Sequence, residues 1–205
     1  MKKIMFNDKY GLTQAVLDGR KTMTRRIAYL SQHDANILMG KIPTCPPSLV
    51  CAIWLKSRYQ VGEVVAISQS YKDSGYDPGS LNRHPKDLSV RGLMKDSAGW
   101  NNKMFVKSYA CKHHIKIANV KVECLQDISN EDCLKEGIVR QEVISDESPF
   151  LYAYDAFLNG DNKYFASRWF KNPKEAFAVL IDKVSGKGTW ERNPYVWVYE
   201  FALWD

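Results

Sequence analysis

The run Tyr195–Leu203 constrains the fold more than any other stretch of this chain. Its alternation sets Tyr195, Trp197, Tyr199, Phe201 and Leu203 on one face and Val196, Val198, Glu200 and Ala202 on the other, because successive residues of a strand point to opposite sides. Both faces read as largely covered. A second strand starts at His114, alternates through Ile115 and Ile117, then slips by one residue to Val120, Val122 and Cys124. That phase change predicts a β-bulge near Ala118-Asn119. Val61-Gly62-Glu63 reads as a turn into a buried strand over Val64–Ser68. Helical patterns scattered among such strands, without βαβ spacing, indicate an α+β domain built on a small, bent sheet or barrel.

Three helices carry their own punctuation. Lys9–Asp18 has an apolar face of Leu12, Ala15 and Val16, and Gly19 stands where a left-handed residue ends a helix. Ser129-Asn130-Glu131-Asp132 is a capping-box-like start, stapled by Ile128 and Cys133, for a helix over Asn130–Glu136 that stops at Gly137. Asn172-Pro173-Lys174-Glu175 supplies cap, N1 proline and N3 glutamate for a helix burying Phe177, Leu180, Ile181 and Val184 as far as Gly186. By contrast, about 27–60 reads as an irregular insertion and about 73–102 as a long loop.

At 205 residues the chain is long enough for one sizeable core, so a single domain over 1–205 is expected. Hydrophobic content of 45% and charged content of 25% belong to an ordinary soluble protein. No apolar run is long enough to span a bilayer, which points to the cytoplasm and to no membrane partner. Five cysteines without a C-x-x-C pair fit a reducing compartment. In Cys111-Lys112-His113-His114 the adjacent histidines of a strand point to opposite faces, so neither a metal nor another cofactor is expected. The net charge of +6 is patchy, with bases at Arg20–Arg26 and Lys112–Lys116 and acids over Asp127–Glu147. Such a pattern is compatible with nucleic acid or a nucleotide as partner, and one of the two histidines is a candidate phosphate contact.

The most chemically loaded segment is Gly19-Arg20-Lys21-Thr22-Met23-Thr24-Arg25-Arg26. It places four cations and two hydroxyls within eight residues, directly after a helix. A connector needs less polar chemistry than this, which suggests an anionic or acyl-bearing ligand. Together with Val61-Gly62-Glu63-Val64-Val65, Leu125-Gln126-Asp127-Ile128-Ser129 with the helix to Glu136-Gly137-Ile138, and Asn193-Pro194-Tyr195-Val196-Trp197-Val198-Tyr199-Glu200-Phe201, it resembles the ASCH family. Within that family the chain is similar to the longer proteins carried by phages and prophages. The likeness spreads from Ile4 to Phe201, leaving about 27–60, 73–102 and 145–172 as elaborations.

This resemblance implies a PUA-like small β-barrel with flanking helices and long loop insertions, a fold associated with RNA recognition. Some small members look like amidohydrolases that deacetylate N4-acetylcytidine, and their roles fall residue by residue on Lys21, Thr24 and Glu136, with Arg26 as the matching arginine. Those residue types suit the chemistry: Thr24 as nucleophile, Lys21 as base and Glu136 as acid for the leaving nitrogen. Arg20, Arg25 and Arg26 would depress the Lys21 pKa by like-charge repulsion, and Arg26 is placed to stabilise an oxyanion. Arg26, Arg25, Arg20 and Thr22 form the expected substrate-binding set, for RNA or a modified nucleoside. On a straight strand Lys21 and Thr24 would lie on opposite faces, about 10 Å apart, so catalysis requires a bend after Gly19. Two rivals remain: a non-catalytic RNA-binding module whose cations neutralise phosphates, and a phage accessory protein that binds another protein.

Overall fold

In the computed structural model, residues 1–75, 100–142, 150–154 and 170–204 are described, and the chain divides into two compact units. Unit 1 comprises Met1–Phe6, Val64–Lys116 and Leu203–Asp205; unit 2 comprises Asn7–Glu63 and Ile117–Ala202. The strands are β1 (Lys3–Ile4), β2 (Met23–Ile27), β3 (Val64–Ile67), β4 (His114–Cys124), β5 (Ile138–Glu142), β6 (Phe150–Tyr154) and β7 (Tyr195–Leu203). The helices are α1 (Leu12–Leu17), α2 (Gln32–Leu38), α3 (Pro47–Trp54), α4 (Tyr71–Ser74), α5 (Asn130–Lys135), α6 (Pro173–Ser185) and α7 (Thr189–Arg192).

In unit 1, β1 runs parallel to β3, pairing Lys3 with Ala66 and Ile4 with Ile67. On its other side β3 is antiparallel to the start of β4, with Val64 opposite Lys116 and Ala66 opposite His114. Val65, Ala66 and Ile67 are fully buried, as the apolar run predicts. Ala66 shares a core with Tyr71 of α4, Val106, Ala110 and Cys111, against which Trp100 packs.

In unit 2, β7 lies between β4 and β2, antiparallel to β2 with Met23 opposite Glu200 and Ile27 opposite Val196. Val196, Trp197, Val198 and Tyr199 are consecutive and all buried, so both faces of this strand are covered, whereas Ala202 and Leu203 emerge into solvent. The burial of β4 slips where the sequence does: Ile117 and Val120 are buried and the two residues between them exposed. The Asn119 side chain accepts the Val120 N–H at 2.9 Å at this point.

Part of what covers β7 is the segment expected to be an irregular insertion. Ser31 caps α2 by accepting the Asp34 N–H at 3.1 Å, and Pro47 occupies the first turn of α3, where a missing N–H costs nothing. The Trp54 ring then stands 5.6 Å from Trp197 and Tyr59 stands 5.1 Å from Tyr199. The Tyr199 hydroxyl and the Ser57 hydroxyl hydrogen bond at 2.9 Å. Buried Trp197 and Tyr199 are therefore core residues.

Other expectations need correction. The first helix does not run unbroken from Lys9: a 3-10 turn over Asp8–Tyr10 ends at Gly11, whose φ of 64° interrupts it before α1. Val184 is 36% exposed rather than buried beside Phe177, Leu180 and Ile181. Among the described residues the strand pairings do not close on themselves into a barrel. The 73–102 loop lies mostly outside the described residues, as does most of 145–172, within which β6 pairs antiparallel with β5.

Because the Trp197 side chain is 5% exposed and backed by Trp54, truncation there leaves a large void. Trp197→Ala is expected to cost about 3–5 kcal/mol, read as a fall in urea midpoint, whereas Leu203→Ala, on the exposed end of the same strand, shifts it little.

Candidate functional site

Gly19 adopts φ +72°, and the Lys21 N–H reaches back to the Ala15 carbonyl at 2.8 Å. The chain therefore folds over the end of α1 before β2 begins at Met23. The Thr22 N–H donates to the Lys135 carbonyl at 2.9 Å, and the Thr22 carbonyl accepts from Phe201 N–H at 2.9 Å. These two bonds fasten the bend to the end of α5 and to β7. Lys21 consequently lies on a bend rather than on a flat strand, and it turns inward, 2% exposed.

Its partner arrives from the far end of α5. Glu136 follows the last helical turn, and Gly137 then takes φ +101°, a conformation side-chain-bearing residues rarely adopt. A Cβ at Gly137 would stand 3.4 Å from the Lys21 Cβ and 3.6 Å from the Ala15 Cβ. This close approach lets Lys21 Nζ donate to the Glu136 carbonyl at 2.9 Å and to its Oε2 at 2.5 Å. Both side chains are almost fully buried, at 2% and 4% exposure.

Arg25 holds the other carboxylate oxygen. Its NH1 donates to Glu136 Oε1 at 3.1 Å, its Nε and NH2 to Glu123 Oε1 at 2.9 and 2.7 Å, and its NH2 to Asp132 Oδ2 at 3.0 Å. Lys121 joins the same carboxylates at 3.0 Å from Glu123 and 3.3 Å from Asp132. The Ser129 hydroxyl accepts the Asp132 N–H at 3.0 Å. The Asp132 carboxylate, which a reciprocal capping box would send back to Ser129, is instead taken by the two cations. Below the guanidinium, the Phe177 ring centre lies 5.9 Å away.

Burial has the largest effect on Lys21 and pushes its ammonium below the ordinary value of 10.5; Glu136 opposes this, and Arg26 and Arg25 reinforce it. Arg25 moves the other way: burial acts to lower it, but Glu136 and Glu123 outweigh that and hold it more strongly protonated. Arg26 is lowered by burial, with Tyr59 and Glu136 opposing. The Cys133 thiol is pushed up to about 12 by burial, which makes it a packing residue rather than a nucleophile.

The sequence-predicted residues thus separate. Lys21 and Glu136 are brought into contact, and Arg25 joins them, fully occupied by three carboxylates and 5% exposed. Thr24 is buried on β2, opposite Tyr199. Among the described residues its hydroxyl has no hydrogen-bond partner, so neither Lys21 nor Glu136 bonds to it. Strand alternation sets Thr24 and Arg26 on the face opposite Met23 and Arg25, and Arg25 NH1 lies 3.2 Å from Met23 sulfur on that shared face. Arg20 pairs with Asp18 at 2.8 Å near the surface. Glu123 and Lys121 are not singled out by the sequence, and Asp132 and Gly137 are read there only as parts of a helix start and a helix stop, although the acidic stretch from Asp127 is a sign that the basic cluster has an internal partner. Among the described residues no group of three or more His, Cys, Asp or Glu could hold a metal ion. Compared with known proteins, the chain matches no family model, no curated protein and no solved structure.

A buried ion pair is costly to break from one side and cheap to replace whole. Glu136→Leu leaves Arg25 with two carboxylates but takes from buried Lys21 its charge partner, and is expected to destabilise by about 3–5 kcal/mol. Lys21→Met/Glu136→Leu together should cost far less, a non-additivity that chemical denaturation reads directly. Since folded Lys21 binds its proton more weakly than the unfolded chain does, its contribution to stability rises with pH in the window below 10.5. The double variant loses that rise.

Proposed function

We propose that the chain is an amidohydrolase of the ASCH type, acting on an acylated exocyclic amine such as that of N4-acetylcytidine, with Lys21 as general base. One observation carries this reading: a buried lysine, held below its ordinary pKa, hydrogen bonded to a buried glutamate 115 residues away. A lysine in that setting reaches its neutral form at lower pH than a solvated one, which is what base catalysis requires.

In this reading the Thr24 hydroxyl attacks the acyl carbonyl and, because it is not hydrogen bonded to Lys21, passes its proton to that lysine through one intervening water. Lys21 then gives that proton to the departing amine nitrogen, while Glu136, held by Arg25, keeps the lysine in place. Water then hydrolyses the threonyl ester by the same base. Arg26, on the Thr24 face of β2, stabilises the oxygen on which charge develops. Arg25 is committed to Glu136, Glu123 and Asp132, so it leaves the substrate-binding set and becomes a positioning residue. That commitment also weakens the rival in which the Arg20–Arg26 cations neutralise phosphates, because Lys21 and Arg25 are buried and paired.

Release of cytidine from N4-acetylcytidine, followed chromatographically, tests the proposal. Lys21→Ala and Thr24→Ala are each expected to lower kcat/KM by about 10²–10⁴-fold, while Arg20→Ala, at the surface, changes it little. The acid limb of kcat/KM should rise with pH as Lys21 loses its proton, with a midpoint below 10.5. Turnover that survives Lys21→Ala unchanged, or no turnover at any pH, contradicts it.

A further inference from the structure

The formal charge of this protein is not spread over it. Unit 1 carries eleven Lys and Arg against five Asp, whereas unit 2 carries eighteen Lys and Arg against eighteen Asp and Glu, so the whole net charge of +6 resides in unit 1. Within the described part of unit 1 the imbalance is sharper, seven lysines against Asp73 alone. Lys72, Lys107, Lys112 and Lys116 are exposed, and among the described residues none of the four pairs with a carboxylate. Lys112 Nζ instead donates to the Asp73 backbone carbonyl at 2.9 Å, which brings it close to the chain position of Lys72.

Unit 1 also exposes aromatic surface. Phe105 is 52%, Tyr109 67% and Trp204 53% exposed, although the same unit is able to bury an aromatic, as it does Tyr71 at 4%. The Lys116 ammonium lies 4.5 Å from the Trp204 ring centre, and the Trp204 N–H is fixed to the His114 carbonyl at 2.8 Å. The Tyr71 hydroxyl donates to the Phe105 carbonyl at 3.2 Å, tying the Phe105 backbone to α4, which also carries Lys72. Rings held in solvent beside lysines that no carboxylate among the described residues neutralises offer stacking platforms flanked by phosphate-binding charge. A merely solubilising surface needs neither the segregation of charge nor the exposed rings.

We propose that unit 1 is a docking surface for a single-stranded nucleic acid, its lysines on the phosphodiester backbone and Phe105, Tyr109 and Trp204 stacked on unpaired bases. A single strand is favoured over a duplex because stacking on side chains needs bases free of their partners. The proposal stands apart from amide hydrolysis, since no residue of the Lys21–Glu136 site belongs to unit 1.

Anisotropy titration of the full chain with a labelled, unacetylated single-stranded oligonucleotide, as RNA and as DNA, over a range of salt concentrations tests it. Binding is expected to weaken steeply with salt. Lys72→Ala/Lys107→Ala/Lys112→Ala/Lys116→Ala should lower affinity at least about tenfold and make the log–log salt slope shallower by about 0.7 for each phosphate that is no longer neutralised. A matched set in unit 2, Lys41→Ala/Lys171→Ala/Lys183→Ala/Lys187→Ala, should leave both unchanged. Tyr109→Ala should cost about tenfold, the order of one stacked base, with the salt slope intact. No binding at low salt, equal losses in the two lysine sets, or capture by phosphatidylserine vesicles in preference to the oligonucleotide would overturn the proposal. Because this oligonucleotide carries no acyl group, its outcome is independent of the cytidine-release assay.

Discussion

The contact on which the site in unit 2 depends is the ion pair between Lys21 and Glu136. It joins a bend at the start of β2 to the end of α5 across 115 residues of sequence, and each local feature around it has a reason in that contact. Gly19 turns the chain so that Lys21 leaves the strand direction. Gly137 takes the φ of +101° by which the chain leaves α5 directly against Lys21. The Thr22–Lys135 backbone bond sets the two segments at the correct separation. As a device for stability such a pair is poor, because desolvating both charges offsets most of their attraction. Two further carboxylates, Glu123 and Asp132, and two further cations, Arg25 and Lys121, gather around it, a concentration of charge that packing alone does not require.

The guanidinium of Arg25 explains how Glu136 is held. One carboxylate oxygen receives Lys21 and the other receives Arg25, so the group cannot rotate without giving up a buried partner. Glu123 and Asp132 in turn fix Arg25 from β4 and α5. Lys21 is the mobile element of this set in protonation: burial pulls it down while Arg25 is driven up. Two adjacent buried cations whose environments push them apart is the pattern that lets one titrate and the other serve as a fixed charge.

Much of this is legible in local sequence and some is not, for reasons that separate cleanly. Caps are readable because their hydrogen bonds are local: Ser129 to Asp132 and Asn172 to Lys174 form as their spacing requires. The left-handed Gly19 and the phase slip of β4 are readable for the same reason. The helices α2 and α3 escape local reading because their order comes from Trp54 and Tyr59 meeting Trp197 and Tyr199, contacts more than a hundred residues apart. Which arginine serves Glu136 is also beyond local reading. Arg25 and Arg26 are adjacent, they point to opposite faces of β2, and only the position of α5 decides between them. Cations and acids that look like two separate patches in the sequence are, at Arg25, Glu123 and Asp132, one network.

The most direct measurement is an NMR titration of the Lys21 side chain in protein labelled at lysine Nζ, assigned by Lys21→Arg. Lys21 is predicted to titrate below the ordinary lysine value of 10.5, and to fall further in Glu136→Gln, because the carboxylate is what holds its proton on. A Lys21 that titrates with the solvated lysines, and does not respond to Glu136→Gln, would contradict the account.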